Sequence, residues 1–432
     1  MPFSLREFVS TLRHALVARR GWIAATVVVA AVSFFAGAHN FRHHNWPFGR
    51  GYYADIREAV GLPPFNDGRR EQGRERRAGM SQVRSLADGT QEFDVGTALY
   101  RLKARLYPGF PEGYVASLGY NDGVFSFLHF ARSGAISRNS LHAENSSLAT
   151  RQIGIVESVS LGTDLFIAPD TNKIYVSYVA IANACASLKL DEIVIPDIGA
   201  IQQRPLFETN CVSPYGTDHA GGRIQQDSSG RMFLTVGDFR RTDLATDENS
   251  SFGKILVGRP GGQFSTYSRG HRNPQGLLWD TSTQTLLQTE HGPYGGDEIN
   301  IIREGQHYGW PHETYGTRAE RLADIGVGAY GRHDKYTKPI FSYTPSIGIA
   351  QIRKVPADSF EFPNWVGSYL VAGMAPRSLS LMRVVLVQER VVMSEAMRLG
   401  RIRDFTIAPT GMIVASRNDG LLIVRRDQEK ND

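Results

Sequence analysis

One phrase recurs along this chain of 432 residues: an Asp or Pro, a few turn residues, then a burst of β-formers closing on a small polar residue. It stands as PDTNKIYVSYV from Pro169, QDSSGRMFLTVGD from Gln226, DTSTQTLLQTEHG from Asp280, FPNWVGSYLVAGM from Phe362 and APTGMIVASRNDG from Ala408. Each reads as a hairpin turn feeding an apolar strand. Starts fall 57, 54, 82 and 46 residues apart, and the long interval has room for an inserted loop. Repeats of this length suit four-strand units, because one twisted sheet leaves apolar faces bare while a closed ring of sheets covers them. Almost nothing beyond residue 90 carries a helical period. The expected fold is therefore all-β, a six-bladed β-propeller over residues 91–427, since about 340 residues accommodate six blades.

The N-terminal part reads differently. Residues 22–38, WIAATVVVAAVSFFAGA, are free of charge and follow Arg19 and Arg20. The run is near the shortest length that spans a bilayer, and its cationic flank points inward. The expectation is a basic cytoplasmic segment at 1–21, a transmembrane helix at 22–38 and a charged stalk at 39–90. The propeller then lies on the periplasmic or extracellular side of a bacterial inner membrane. Ala36 and Ala38 form an A-x-A pattern, so a cleaved signal is the other reading. Cys185 and Cys211, the only cysteines, either close a disulfide outside the cytoplasm or remain two buried thiols.

Residues 1–50 hold six Arg and one Glu, which leaves 42 basic and 42 acidic residues from the chain's 48 and 43. The rest is formally neutral, and no nucleic-acid partner is indicated.

Three polar loop motifs stand where a propeller carries function: TDHAGGR from Thr217, GHRNPQGL from Gly270 and TEHGPYGGDEINII from Thr289, the last followed by HYGWP from His307. In that order and spacing they resemble the glucose/sorbosone dehydrogenase family, soluble six-bladed propellers that oxidise sugars with pyrroloquinoline quinone (PQQ) and calcium. The resemblance runs from about Thr217 to Pro311 and returns near Arg401.

The resemblance implies a site. His219 would be the base that takes the sugar hydroxyl proton, oriented by Asp238 in TVGD, with Asp218 beside it and Arg272 near the quinone oxygen. Asp218, Arg272, Asn273 and Gln275 would hold the quinone, and Arg401 and Arg403 its carboxylates, two alternate side chains on one strand face. Carbonyls of Gly292 and Pro293 would hold a calcium ion that also meets the quinone. Glu298 and the Tyr308 carbonyl would hold a second, structural ion, with Asp297 adjacent as a ligand or a strand cap. Electrons would pass from the sugar to an unknown acceptor.

Departures from the family pattern are also visible. A lysine that relatives direct at the quinone falls near Ala375, with Arg377 two positions on as its substitute. The glutamine-glycine phrase reads VESVSLGTD, and YTPSIGIAQI lacks its second proline. These losses keep a second reading open, a non-catalytic propeller that binds a saccharide or a protein.

Overall fold

The computed structural model describes residues 83–427 other than 145, 170, 197–199, 317–328 and 376–379. The anchor expected at residues 22–38, the preceding basic segment, most of the stalk, and Arg377 lie outside the described residues. Among the described residues, no helix is long and apolar enough to cross a membrane.

Six antiparallel sheets form the blades. Blade 1 consists of Gly113–Asn121, Val124–Ala131, Ala135–His142 and Leu148–Ile155. Blade 2 is Leu161–Ile167, Ile174–Ala182, Cys185–Val194 and Gln202–Glu208; blade 3 is Gly221–Gln226, Met232–Val236, Lys254–Gly258 and Ser265–Arg269. Blade 4 is Pro274–Asp280, Thr285–Glu290, Asp297–Ile302 and Phe341–Tyr343, and blade 5 is Ile349–Lys354, Tyr369–Gly373, Leu381–Val387 and Arg390–Met397. Blade 6 joins Ile402–Ile407, Ile413–Arg417 and Gly420–Arg426 to Arg101–Pro108, and Gln91–Gly96 and Arg84–Ser85 extend it outward.

The repeated phrase marks one element, the second strand of blades 2 to 6. These strands are sandwiched by sheets on both faces, so Met232–Val236 and Tyr369–Gly373 are buried at every position. Double burial removes polar alternation and leaves a continuous apolar burst. The long interval holds residues 303–340, inserted between the third and fourth strands of blade 4, where Glu313–Thr314 pairs with Ala329–Tyr330.

The first strands neighbour one another in turn around the ring, and each of the six blade interfaces has its own apolar cluster. The blade 5/6 interface centres on Phe362, Trp365 and Phe405, all fully buried. Within a blade the second strand runs antiparallel to the first. The start of each first strand and the end of each second strand therefore share one rim of the ring, called here the mouth.

Candidate functional site

The mouth collects short segments from blades 1, 3, 4 and 6. His219 ends a 3-10 turn, Pro214–His219, just before the first strand of blade 3. Asp238 follows the second strand of that blade. Gly237 between them permits the approach, since a Cβ there would lie 1.8 Å from the His219 carbonyl oxygen. His219 Nδ1 is 2.8 Å from Asp238 Oδ1, and Trp310 Nε1 donates to Asp238 Oδ2 at 2.9 Å. A carboxylate at Nδ1 fixes the proton there and leaves Nε2 as the acceptor. That Nε2 meets Arg272 Nη2 at 3.2 Å. Burial, and then the Arg272 charge, lower the His219 pKa below its usual 6.5, so the imidazole is neutral near pH 7.

Arg272 sits on the turn before the first strand of blade 4. Its main-chain carbonyl accepts from Asp238 N at 2.8 Å, its Nη1 donates to the His291 carbonyl at 2.8 Å, and its guanidinium lies 5.4 Å from the Trp310 ring centroid. Its backbone N–H donates to Glu290, whose other oxygen meets His271 Nδ1 at 2.9 Å. Gly270 is required for this turn: it has φ +80°, and a Cβ would stand 2.4 Å from His307 Nδ1. The polar groups of GHRNPQGL thus mostly bind the turn itself and its neighbours. Asn273 Nδ2 donates to the Asp218 carbonyl at 3.3 Å, and Gln275 Nε2 to Asn273 Oδ1 at 2.7 Å.

Asp218 carries the least support for a ligand role. Its carboxylate is more than half exposed and is held by Arg240, with Nε at 2.9 Å, so its contribution to the site is its carbonyl. Arg401 and Arg403 reach one common partner, Glu112, at 3.1 and 3.4 Å.

The four residues expected around two separate ions line a single small polar cavity. Gly292, Pro293, Glu298 and Tyr308 share it with Arg272, and it has room for roughly one water molecule or ion. The reason is register: Glu290 pairs with Glu298, so the second carboxylate lies directly under the 291–296 turn. Asp297 is a strand and loop anchor. It accepts from Gly292 N at 3.1 Å, Ile347 N at 3.0 Å, Ile349 N at 2.9 Å and Ser346 Oγ at 2.8 Å. The described residues contain no cluster of three or more His, Cys, Asp or Glu set for a metal.

Trp310, Glu290 and Glu112 take part without having been assigned roles from sequence. Trp310 and Glu290 stood inside quoted motifs, so proximity to GGDEIN and GHRNP was an available signal. Glu112 had none, because two of its three partners, Arg401 and Arg403, lie far along the chain. At the mouth Arg132 Nε, Arg272 Nε and Arg403 Nε are buried without a partner, unsatisfied donors that suit an anionic, oxygen-rich ligand.

Comparison with known proteins agrees with this architecture. Aldose sugar dehydrogenase YliI of Escherichia coli (strain K12) is 25% identical over 285 residues, covering 58% of this chain and 72% of that protein. Quinoprotein glucose dehydrogenase B of Acinetobacter calcoaceticus is 32% identical over 130 residues, 23% of this chain and 27% of that one. The fold is shared with the PQQ-bound aldose sugar dehydrogenase of Streptomyces coelicolor, at a TM-score of 0.56, 21% identity, and coverage of 80% of this chain and 99% of that one. The Glucose / Sorbosone dehydrogenase family model matches residues 129–424, from the second strand of blade 1 to the third strand of blade 6. With most of the ring matched, the chain belongs to the glucose/sorbosone dehydrogenase family.

Proposed function

We propose that the chain is a PQQ- and calcium-dependent aldose dehydrogenase, tethered through residues 22–38 to a bacterial inner membrane with its propeller on the periplasmic side. The observation that carries the chemistry is the relay Trp310–Asp238–His219, with Arg272 facing His219 Nε2. The unpartnered Nε atoms of Arg272 and Arg403 suit the carboxylate and carbonyl oxygens of the quinone, and Arg401 shares Glu112 with Arg403. Oxygen ligands around the cavity of Gly292, Pro293, Glu298 and Tyr308 suit calcium.

A bound quinone would supply the acceptor for the hydride that leaves the sugar carbon, that is, for both electrons of the oxidation. The protein supplies the proton acceptor. His219 Nε2 takes the proton of the sugar hydroxyl once Arg272 has turned to an anionic ligand, and Asp238 steadies the imidazolium that results. Trp310 fixes the second oxygen of Asp238, so the carboxylate cannot rotate away. Arg272 keeps positive charge beside the reacting atoms.

The test is reconstitution of the protein with PQQ and calcium, followed by dye reduction with several aldoses. Retained quinone absorbance, turnover with at least one sugar and loss of turnover in His219→Ala are expected. No retained absorbance and no reduction by any sugar would leave a propeller that binds a saccharide or protein without turnover. The same assay with soluble dyes and membrane extracts searches for the electron acceptor.

A further inference from the structure

Three guanidinium groups converge on one carboxylate at the seam between blades 6 and 1. Glu112, just before the first strand of blade 1, accepts from Arg132 Nη1 at 2.9 Å, Arg401 Nε at 3.1 Å and Arg403 Nη2 at 3.4 Å. Arg132 follows the second strand of the same blade, so the cluster sits on the mouth. Arg401 is tied at its other end to the Met374 carbonyl at 2.9 Å. The cluster also connects across the channel: Arg223 Nη2 approaches the Arg403 carbonyl at 3.4 Å while its Nε donates to the Gln275 carbonyl at 2.6 Å. Gln275 stands three positions from Arg272.

Charge counting gives three cations against one anion. Two donors of the cluster, Arg132 Nε and Arg403 Nε, are moreover buried without partners. Like charges gathered in a partly buried place require an anion between them. Burial alone would raise the Glu112 carboxyl, but Arg403, Arg132 and Arg401 hold it down at about 2. It is therefore an anion at every pH at which the protein works.

We infer that Glu112 is a resident counter-ion that neutralises this guanidinium cluster in the ligand-free protein and competes for it with the carboxylates of the quinone, making Arg132 a third anion-binding arginine. The inference rests on the quinone-binding reading above. A ligand carboxylate that enters the cluster either displaces the Glu112 side chain or shares the guanidinium donors with it. In both cases Glu112 weakens the ligand by electrostatic competition, while without it the three arginines would repel one another.

The experiment uses the full chain prepared without cofactor. Wild type, Glu112→Gln and Arg132→Gln are titrated with PQQ by absorbance and with pyridine-2,6-dicarboxylate by calorimetry, and thermal unfolding is recorded without ligand. Glu112→Gln should bind both probes about tenfold tighter, the worth of one unit charge a few ångströms away at a partly solvated site. It should also unfold at lower temperature than wild type when no ligand is present, a combination that a purely structural glutamate does not give. Arg132→Gln should bind both probes more weakly. A folded Glu112→Gln protein that binds the probes equally or more weakly overturns the inference. If that variant does not fold, Glu112→Met, which also removes the charge, should show tighter binding, and unchanged or weaker binding overturns the inference. If PQQ binds neither protein while the dicarboxylate binds Glu112→Gln more tightly, the counter-ion stands and the quinone reading falls.

Discussion

His219 Nδ1 lies 2.8 Å from Asp238 Oδ1, a contact made between the start of one strand and the end of its neighbour in blade 3. The pairing sets which ring nitrogen is free to accept a proton. Asp238→Asn leaves the shape but can turn its amide N–H toward Nδ1, favouring the wrong tautomer. Turnover should fall by about 10²–10⁴ with little change in fold. Steady-state kinetics of the reconstituted variant, alongside circular dichroism, measure this. Near wild-type turnover would detach Asp238 from the chemistry.

The pH dependence follows from the depressed His219 pKa. Burial and Arg272 keep the ring neutral below its ordinary 6.5. The unfolded chain protonates His219 near that value and the folded chain resists, so in the window just below 6.5 the unfolded state binds more protons. The share of stability linked to His219 therefore falls as pH drops through that window. The acid limb of turnover should likewise lie below pH 6.5. Removing the neighbouring charge in Arg272→Met should move that limb upward, and a limb that stays put or moves down contradicts the assignment.

Arg223 fills the central channel. It is fully buried, and its Nη1 meets Asp164 at 2.9 Å and Asp404 at 3.0 Å, while its guanidinium lies 4.9 Å from the Tyr114 ring. One side chain thus touches the first strands of blades 1, 2, 4 and 6. Arg223→Met strands two buried carboxylates and should cost about 3–5 kcal/mol. Denaturant unfolding reads the loss, and a cost below about 1 kcal/mol would mean that the carboxylates protonate without penalty.

Cys185 and Cys211 are joined by a disulfide across 26 positions. Ala186 and Val212 beside it exchange both backbone hydrogen bonds, at 2.8 and 3.0 Å, which pins the segment leading to His219 onto blade 2. Replacing both cysteines by serine should lower stability by about 3 kcal/mol, a loss visible as an earlier thermal midpoint. An unchanged midpoint would mean that the backbone pair alone holds the segment.

Sequence made one strand of each of five blades readable, for a physical reason. The second strand is covered on both faces, so its apolar run and the turn before it stand out. Blade 1 escaped that pattern because Val124–Ala131 ends on Ala131 and Arg132 rather than on a small polar residue. Outer strands such as Gln202–Glu208 are largely exposed and carry no period. Within the site, His219, Asp238 and Arg272 were found because short motifs bring them together. Glu112 was invisible, since a lone glutamate in GFPEGY acquires meaning only when residues from blade 6 fold beside it. That Gly292, Pro293, Glu298 and Tyr308 line one cavity was not legible either, since it follows from the strand register that pairs Glu290 with Glu298.

Blade 6 is stitched from both ends of the described chain: Arg101–Pro108 hydrogen-bonds to Gly420–Arg426, and next to that seam Gly113 N donates to Ser416 Oγ across 303 positions. During synthesis the early strand must wait, unlatched along that edge, until Gly420–Arg426 has left the ribosome. The mouth is completed at the same moment, because Arg401 and Arg403 arrive with that last blade. A nascent chain is therefore assembled as an open arc, and it acquires its circular shape and its ligand cluster together.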